Sequence, residues 1–389
     1  MRTFKYHLYG WIHRILKLLP ARRNKVVFYM IHNSRFRGNL RYIYDEMKRR
    51  ETTFRFVVVS KEKLFHPQEK NRIINSIKKC YGMFYFYIIL NYHLAHAAMI
   101  LLNDNFLPLA YMPISKKTKL VQLWHGVGAF KRFGLSTETD PFVRRLVSVG
   151  NRKIDYLFVS SPKIVGHYQE AMGIDKNKIY PVGVPVTDYY FNQGKRAEAL
   201  ERIYQAYPIL KNKIVLLYTP TYRPQQEENL ESFKRLQPEK LLNQLGNEYI
   251  LLLRFHPQVY LSISQNSGLL NVSTYSDIKD LYEVADYLIT DYSSTVVEFS
   301  LLDKPIIFFA YDFERFDRGF YVDYKEVVPG PIVQNGEQVA NTILEYQREE
   351  IKAKYHIKRD KFIALQCDMA DGHSSERVTD ILLMNGEQR

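Results

Sequence analysis

The hydrophobic residues of this chain fall into short, nearly continuous runs separated by mixed polar segments. The run Phe56-Val57-Val58-Val59 is the clearest example. A strand that is apolar on both faces is typical of a buried parallel sheet, so the pattern predicts an α/β fold. The first series of predicted strands comprises 25–30, 54–60, 98–102, 119–123 and 156–160, and the second comprises 214–218, 249–254, 272–273, 287–290 and 306–309.

The two series of strands indicate two domains. The chain has 389 residues, which exceeds one ordinary domain, and helical patterns such as 238–245 and 278–285 lie between the strands. This alternation is typical of doubly wound, Rossmann-like halves. The stretch 183–194, with its glycines and proline, separates the two series. We therefore predict two such domains that face a cleft, at 24–190 and 191–389.

The segment 1–23 is predicted to form a helix of its own. One face of this helix is apolar and carries Leu8, Trp11, Ile12, Ile15 and Leu19. Basic residues accompany it at Arg14, Lys17, Arg22 and Arg23, and Pro20 would end the helix. A basic amphipathic helix with Trp predicts attachment to an anionic membrane surface. The alternative is an ordinary N-terminal helix that packs on the core.

No uninterrupted apolar run reaches the roughly 20 residues that a membrane span needs. The longest candidate, 81–102, is interrupted by Asn91, His93 and His96. We interpret it as a buried helix or a helix–strand pair. The N-terminus also lacks the pattern of a secretory signal peptide.

Charge and composition narrow the possible partners. The net charge of +14 favours an anionic partner, and no zinc spacing or aromatic RNA-binding motif points to nucleic acid. The two cysteines, Cys80 and Cys367, form no CxxC pair, which indicates a reducing compartment. No metal-ligand cluster, Walker loop or GxGxxG motif is present, so neither a metal nor a cofactor is expected. A phosphate-bearing substrate and a membrane surface remain.

The candidate chemistry of the first half follows the predicted strand 119–123. The motif Trp124-His125-Gly126 lies at the strand end, where α/β folds place ligand residues. An exposed neutral imidazole at His125 could act as a general base toward a hydroxyl, with Lys131 downstream. A structural histidine near a turn is the alternative for such a residue taken alone.

The candidate chemistry of the second half also lies at strand ends. His256, before Pro257, could donate to a phosphate oxygen, although a capping or core histidine is nearly as consistent with this motif alone. Asp291-Tyr292-Ser293-Ser294 precedes a predicted helix, where hydroxyls either cap the helix or bind phosphate. Glu298 could accept from ribose hydroxyls. Arg318, in a loop with Arg315 and Lys325, could stabilise a leaving phosphate or simply be solvated.

With these motifs placed, the chain resembles the CDP-glycerol glycerophosphotransferase family of teichoic acid synthesis, from about residue 24 to 378. The motifs that carry the resemblance are Trp124-His125-Gly126, Ser160-Ser161-Pro162, Gly183-Val184-Pro185, Tyr218-Thr219-Pro220-Thr221-Tyr222-Arg223, Phe255-His256-Pro257, Thr290-Asp291-Tyr292-Ser293-Ser294, Arg318-Gly319-Phe320-Tyr321 and Asp371-Gly372 through Arg377.

The resemblance implies the GT-B architecture, with an acceptor half followed by a donor half that binds CDP-glycerol. It implies catalytic roles for His125 as base and His256 as a donor-phosphate contact. The implied acceptor is an undecaprenyl-diphosphate disaccharide at the cytoplasmic membrane face, with CMP released by in-line attack. Implied donor-binding residues are Thr219, Arg223, His256, Asp291, Ser293, Ser294, Glu298 and Arg318, and implied acceptor-binding residues are Trp124, Gly126 and Lys131.

Within that family the chain is most similar to the glycerol-phosphate primases. A polyol-phosphate polymerase, acting on teichoic acid or capsule, and a nucleotide-sugar transferase or epimerase of the same architecture remain as alternative enzymes. A non-catalytic membrane scaffold is the alternative outside enzymology, and it predicts no nucleotide binding. The sequence leaves the donor polyol and the oligomeric state open.

Overall fold

Two separate parallel β-sheets, each of six strands, form the framework of the protein. The computed structural model describes residues 2–20, 24–30, 36–60, 72–256, 258–259, 268–316 and 318–384. The chain divides into unit 1, which contains Met1–Asp188 and Asp368–Arg389, and unit 2, which contains Tyr189–Cys367. Each unit has its own sheet and hydrophobic core, so the predicted α/β fold with two parallel sheets is confirmed.

The sheet of unit 1 has the strand order β2-β1-β3-β4-β5-β6, with all neighbours parallel. Its central strands are buried on both faces, because the consecutive residues Val27 and Phe28 of β1 point to opposite faces and are both 0% exposed, as are Ile100 and Leu101 of β3 at 1% and 0%. This burial explains their continuous apolar sequences. The strands are β1 (Lys25–Met30), β2 (Arg55–Ser60), β3 (Ala97–Leu102), β4 (Lys119–Gln122), β5 (Tyr156–Phe158) and β6 (Ile179–Tyr180).

Helices connect these strands and cover the sheet. They are α1 (Phe4–Leu16), α2 (Asn39–Arg49), α3 (Arg72–Phe84), α4 (Asn91–Ala95), α5 (Pro141–Asn151) and α6 (Val165–Met172). The π-helical segment Tyr85–Leu90 joins α3 to α4, and β3 follows directly. The predicted helix–strand pair at 81–102 is therefore confirmed. Helix α5 begins where the sequence chemistry dictates, because Asp140 caps it through the Phe142 amide and Pro141 follows the cap.

The sheet of unit 2 has the order β12-β11-β10-β7-β8-β9, again all parallel. Its strands are β7 (Ile214–Thr219), β8 (Tyr249–Leu253), β9 (Leu269–Asn271), β10 (Tyr287–Thr290), β11 (Ile306–Phe309) and β12 (Ile332–Val333). Its helices are α7 (Gln193–Ala206), α8 (Gln226–Leu236), α9 (Pro238–Leu245), α10 (Ile278–Val284), α11 (Thr295–Ser300), α12 (Tyr324–Val327), α13 (Gly336–Glu345) and α14 (Glu349–Gln366).

Short 3₁₀ segments complete the described secondary structure. They are Leu107–Tyr111, Gly134–Ser136, Pro162–Ile164, Lys176–Lys178, Pro185–Phe191, Pro208–Asn212 and Phe313–Arg315. The edge strands β6 and β12 are absent from the predicted series, since two residues are too few for a periodic signal. The strand predicted at 272–273 is found immediately before those residues, at Leu269–Asn271.

Each sheet has one point where the strand order reverses, and this point locates the sites. In unit 1 the chain runs from β1 outward to β2 and then returns to β3 on the other side of β1. In unit 2 it runs from β7 outward to β8 and β9 and returns to β10 on the other side of β7. Ligands of open α/β sheets bind beyond the carboxyl ends of the strands at such reversals.

The C-terminal helix α15 (Ser374–Met384) belongs to unit 1, which corrects the predicted domain 191–389. The carboxylate of Asp188 accepts the amide hydrogens of Ser374 and Ser375, each at 2.8 Å. Arg50, the residue that follows α2, donates to Asp380 at 2.5 Å. These contacts attach the C-terminal helix to residues of unit 1 that are far from it in sequence. The negative charge of Asp188 also lies at the N-terminus of this helix, where a carboxylate is favourable.

Helix α1 is part of unit 1 rather than the separate segment predicted at 1–23. Its buried face carries Tyr9, Gly10 and His13. A Cβ at Gly10 would lie 2.5 Å from the Tyr111 carbonyl oxygen, so only glycine allows this close approach. The helix ends at Leu16, before the proline that was expected to end it. The buried face of α1 therefore packs on unit 1, as expected for an ordinary N-terminal helix.

The other face of α1 remains exposed and apolar. It carries Phe4, Trp11 and Ile15, and Leu18 and Leu19 just beyond the helix are also exposed. Of the basic residues assigned to this surface, Arg14 is exposed, whereas the Lys17 ammonium donates to the Pro113 carbonyl oxygen at 3.2 Å. Arg22 and Arg23 lie outside the described residues. Within the described part of the chain, no helix combines the length and apolar character required to cross a bilayer.

Candidate active site

His125 lies at the carboxyl end of β4, and its side chain is exposed. Its Nδ1 is 3.1 Å from the carbonyl oxygen of Asn103, the residue that follows β3. A carbonyl oxygen only accepts, so Nδ1 must carry the proton and donate it. The lone pair of the neutral ring is then on Nε2, which is the arrangement that a general base requires.

Two of the other residues assigned to acceptor binding, Trp124 and Gly126, flank this histidine in the chain, and Lys131 follows later in the loop. Trp124 is 8% exposed, and its ring lies 4.2 Å from the His125 ring and 5.5 Å from the Phe133 ring, measured between centroids. The Trp124 ring therefore packs against one face of the His125 imidazole. Gly126 is half-buried beside the Trp124 ring, and Lys131 is half-buried further along the loop.

Glycine freedom in this loop is required at Gly128 rather than at Gly126. Gly128 has φ +71°, the left-handed region that side chains rarely adopt. Its amide donates to the Ser160 hydroxyl at 3.1 Å, and its carbonyl accepts from the Tyr168 hydroxyl at 3.0 Å. Ser160, from the Ser-Ser-Pro motif, thus fixes the loop that follows His125.

In unit 2 the loops after β7, β10 and β11 are tied together by Arg223. Its guanidinium donates to Asp312 at 2.8 and 3.0 Å and to Asp291 at 3.1 Å. The Asp291 carboxylate also accepts the amides of Thr221 and Tyr292. The reversal between β7 and β10 lies at this network. Arg223 and Asp291, both assigned to donor binding, therefore bind each other and hold the three loops together.

The charges of this network are strongly coupled because they are buried. Burial alone would lower the pKa of Arg223, but the carboxylates of Asp291 and Asp312 raise it above its ordinary value. Burial alone would raise the pKa of Asp312, whereas the bond from Arg223 lowers it. The group is thus one cation between two carboxylates, so it supplies no net positive charge for a phosphate.

His256 follows β8 and is exposed, with its ring 4.8 Å from the Tyr222 ring. Its Nδ1 lies 3.3 Å from the Gln258 amide nitrogen, which donates to it. Nδ1 is therefore the acceptor nitrogen and Nε2 carries the proton, the opposite tautomer to that of His125. Burial lowers the pKa of His256, which favours this neutral form. The neighbouring Pro257 lies outside the described residues.

The hydroxyl pair before α11 divides its roles. Ser293 Oγ accepts the Thr295 amide at 3.3 Å and so behaves as a cap, whereas Ser294 is exposed and makes no capping bond. Glu298, one turn into α11, accepts from the Tyr190 hydroxyl at 3.0 Å through Oε1. Burial raises the pKa of this carboxyl group, and Lys279 opposes that shift. Thr219 Oγ1, at the end of β7, is buried without a partner among the described residues.

Arg318 is exposed at the tip of the loop after β11. The loop is anchored by aromatic stacking, because the Phe316 ring lies 4.2 Å from the Tyr292 ring. Phe320 lies 4.9 Å from the Tyr324 ring, and the Tyr324 hydroxyl donates to the Asp291 carbonyl at 3.2 Å. These contacts bring the Arg318 loop to the same edge of the sheet as Asp291.

Three residues of the two sites are missing from the sequence predictions: the buried Asn39 and Gln122, and the partly buried Asp312. Gln122 is a polar residue in an otherwise apolar strand and is 0% exposed, and Asn39 is 5% exposed at the start of α2. A polar residue inside a predicted buried strand was the available signal for Gln122. The partner of Asp312 is distant in the chain, so no local pattern marks it.

Comparison with known proteins identifies the family of the chain. The chain matches the family described as CDP-Glycerol:Poly(glycerophosphate) glycerophosphotransferase over residues 12–384. It is 34% identical to the teichoic acid poly(ribitol-phosphate) polymerase of Bacillus spizizenii, covering 100% of this chain but 61% of that longer protein. It is 32% identical to the teichoic acid ribitol-phosphate primase of the same organism over 98% of both chains.

Two further comparisons complete the picture. The teichoic acid glycerol-phosphate primase of Bacillus subtilis is 31% identical over 81% of this chain and 78% of that protein. The fold is similar to that of the wall teichoic acid polymerase TagF, with a TM-score of 0.76 and 24% identity over 100% of this chain and 96% of that one. The relatives thus include primases and polymerases, and their names specify ribitol phosphate or glycerol phosphate. The chain belongs to the CDP-glycerol:poly(glycerophosphate) glycerophosphotransferase family of teichoic acid phosphotransferases.

Proposed function

We propose that this enzyme transfers glycerol phosphate from CDP-glycerol to an undecaprenyl-diphosphate disaccharide and releases CMP. The observation that carries the proposal is the pair of opposite imidazole tautomers. His125 presents a lone pair on Nε2 and His256 presents an N–H on Nε2. One ring is suited to take a proton from a hydroxyl, and the other is suited to donate to a phosphate oxygen.

In the proposed reaction, His125 Nε2 takes the proton of the acceptor hydroxyl. The hydroxyl oxygen attacks the β-phosphorus of CDP-glycerol in line, and the bond from that phosphorus to the bridging oxygen breaks. CMP leaves with the electron pair of that bond. His256 and Arg318 stabilise the phosphoryl oxygens, Ser294 lies at the same strand edge, and such a transfer depends mainly on positioning and charge.

A second donor, CDP-ribitol, is supported by the two ribitol-phosphate relatives, which are 34% and 32% identical to this chain. Repeated transfer is the corresponding alternative to a single addition, because one of these relatives is a polymerase and the other a primase. Neither alternative changes the proposed proton acceptor or the bond that breaks.

The proposed location is the cytoplasmic face of the membrane, with attachment through the exposed face of α1. Trp11 is 58% exposed and Leu18 is 84% exposed, and Phe4, Ile15 and Leu19 of the same segment are exposed as well. Grouped exposed apolar side chains mark interaction surfaces. A lipid-linked acceptor would make such a surface useful, and the basic Arg14 would lie at anionic headgroups.

Product mass tests the proposed function. The purified chain is incubated with CDP-glycerol or CDP-ribitol and a soluble, short-chain analogue of the lipid-linked disaccharide. We expect CMP release together with a product that is heavier by one glycerol phosphate. A product heavier by ribitol phosphate supports the second donor, and a ladder of masses supports polymerisation. Turnover of a nucleotide sugar in place of either donor would reject the proposal.

A further inference from the structure

The backbone beneath His125 is held in an unfavourable conformation. Trp124 has φ +50°, in the left-handed region that a bulky L-residue rarely adopts. The residue stands between the end of β4 and the candidate base. Its conformation turns the chain sharply, so that the Trp124 ring is buried while the next side chain, His125, is exposed. Such strain persists only where the surroundings over-determine it.

Two buried amide side chains, Asn39 and Gln122, hold Trp124 in this conformation. The Trp124 amide donates to Gln122 Oε1 at 2.9 Å. The Trp124 carbonyl accepts from Asn39 Nδ2 at 3.2 Å, and the Leu123 carbonyl accepts from the same nitrogen at 3.0 Å. Both polar groups of the strained residue are thus bound by side chains instead of by strand neighbours.

The same amides reach the rest of the site. Gln122 Nε2 donates at 3.2 Å to the carbonyl of Asp104, which adjoins the Asn103 carbonyl that orients the imidazole. Asn39 Oδ1 accepts the Val186 amide at 2.8 Å. Each amide therefore links the Trp124 backbone to a second segment of unit 1. The side-chain hydrogen bonds described for Asn39 and Gln122 all go to this turn, to the Asp104 carbonyl or to the Val186 amide.

We propose that Asn39 and Gln122 are positioning residues, which hold Trp124 in the left-handed conformation and thereby fix the tautomer and direction of the His125 ring. This inference rests on the proposed role of His125 as base. It explains why a polar residue stands in a buried apolar strand and why α2 begins with a buried asparagine.

The first test is Asn39→Asp. The carboxylate keeps an acceptor for the Val186 amide but places an oxygen against the Leu123 and Trp124 carbonyls. We expect kcat to fall by about 10²-fold, with KM for CDP-glycerol nearly unchanged, because a small displacement of a catalytic group costs this much. The matched control is Asn151→Asp, which makes the same change at a buried amide that donates to the Met172 carbonyl at 2.9 Å. The control should retain kcat.

The second test guards against a folding defect. Gln122→Leu replaces a fully buried side chain with an apolar one of similar size, so the strand should persist while the Trp124 amide loses its acceptor. We expect a similar fall in kcat. In nitrogen NMR of ¹⁵N-histidine protein, the His125 signal, assigned by its loss in His125→Ala, should report protonation at Nδ1 in the parent and a mixture of tautomers in both variants.

The outcomes separate the two ideas. If His125→Ala retains normal turnover, the proposed function fails, whatever the other variants do. If His125→Ala is inactive but Asn39→Asp and Gln122→Leu keep both the parent kcat and the Nδ1-protonated signal, the positioning role is wrong. If Asn39→Asp unfolds, Gln122→Leu decides between these results by the same two readouts.

Discussion

The charged residues of the loops after β7, β10 and β11 are organised around one buried residue, Arg223. Its side chain is 9% exposed and pairs with Asp291 and Asp312, which are 2% and 12% exposed. Removing one partner from a buried ion pair costs far more than the pair contributes, because the remaining charges lose their compensation. The sequence motif predicts this arginine at the donor site, and its contacts show that it joins the loops after β7, β10 and β11.

We therefore expect Arg223→Ala to lower the free energy of unfolding by about 3–5 kcal/mol, since two buried carboxylates would remain uncompensated. Donor binding should weaken as the three loops separate. Chemical denaturation measures the first effect, and calorimetric titration with CDP-glycerol measures the second. The control is Arg235→Ala, whose exposed pair with Glu231 should contribute less than about 1 kcal/mol. Equal stability of the two variants would refute the role of Arg223.

The buried His13 of helix α1 makes the free energy of unfolding depend on pH. Its ring is 1% exposed and donates from Nδ1 to Asn91 Oδ1 at 2.7 Å. Burial lowers its pKa from 6.5 to about 4, the Asn91 bond opposes this, and Lys17 adds to it. Between these values the unfolded chain binds more protons than the folded one, so the free energy of unfolding falls as the pH falls through this window.

We expect the free energy of unfolding to have its full value above the unfolded pKa of 6.5 and to fall by roughly 3 kcal/mol as the pH drops to the folded pKa of about 4. His13→Gln keeps a hydrogen-bonding group but cannot titrate, so it should lose this component of the acid sensitivity. Denaturant unfolding at a pH above 6.5 and at one near 4 measures the difference. His373→Gln, at an exposed position, is the control and should behave as the parent does. An unchanged pH dependence in His13→Gln would rule the mechanism out.

The exposed face of α1 carries the membrane prediction. The variant Trp11→Glu with Leu18→Glu changes two exposed side chains and leaves the buried face intact, unlike deletion of 1–23. We expect it to release the protein from anionic vesicles in a sedimentation assay, because the apolar face would no longer enter the interface. Leu344→Glu with Ile357→Glu makes the same change at exposed sites in unit 2 and should leave sedimentation unaltered. Persistent binding of the α1 variant would locate the attachment elsewhere.

The elements with a strong local signal were predictable from the sequence. The strand 25–30 and the helix 238–245 have the predicted bounds, because continuous apolar runs and a proline at the helix start act locally. The strand ends also located His125 and His256 correctly at their loops. The tautomers could not be predicted, since they depend on Asn103 and Gln258 through tertiary contacts. The docking of α1 depends in the same way on Gly10.

At the scale of the whole molecule, the chain leaves unit 1 and returns to it. The return could not be read from the sequence, because the partners of α15 lie at the other end of the chain. Asp188 accepts two amides of α15, and Leu382 lies in the hydrophobic core of the first sheet. The C-terminal helix is thus part of the unit that presents His125.

This connection predicts the effect of Asp188→Ala. Losing two hydrogen bonds to a charged acceptor should destabilise unit 1 by roughly 1–3 kcal/mol. Hydrogen exchange should rise first in Ser374–Met384 and then in α2, because Arg50, the residue that follows α2, contacts Asp380 of this helix. Asp175→Ala is the control, because Asp175 precedes a 3₁₀ turn without a capping bond. Exchange that rises only in unit 2 would disprove this assignment of the chain end.

The most direct test of the whole account is the turnover of His125→Ala with CDP-glycerol and the acceptor analogue. We predict that kcat falls by about 10²–10⁴-fold, the usual loss for a general base, while the thermal unfolding temperature and the binding of CDP-glycerol are retained. His373→Ala, an exposed histidine of unit 1, should keep the parent rate. A His125→Ala enzyme that folds, binds the donor and releases CMP at the parent rate would contradict the account.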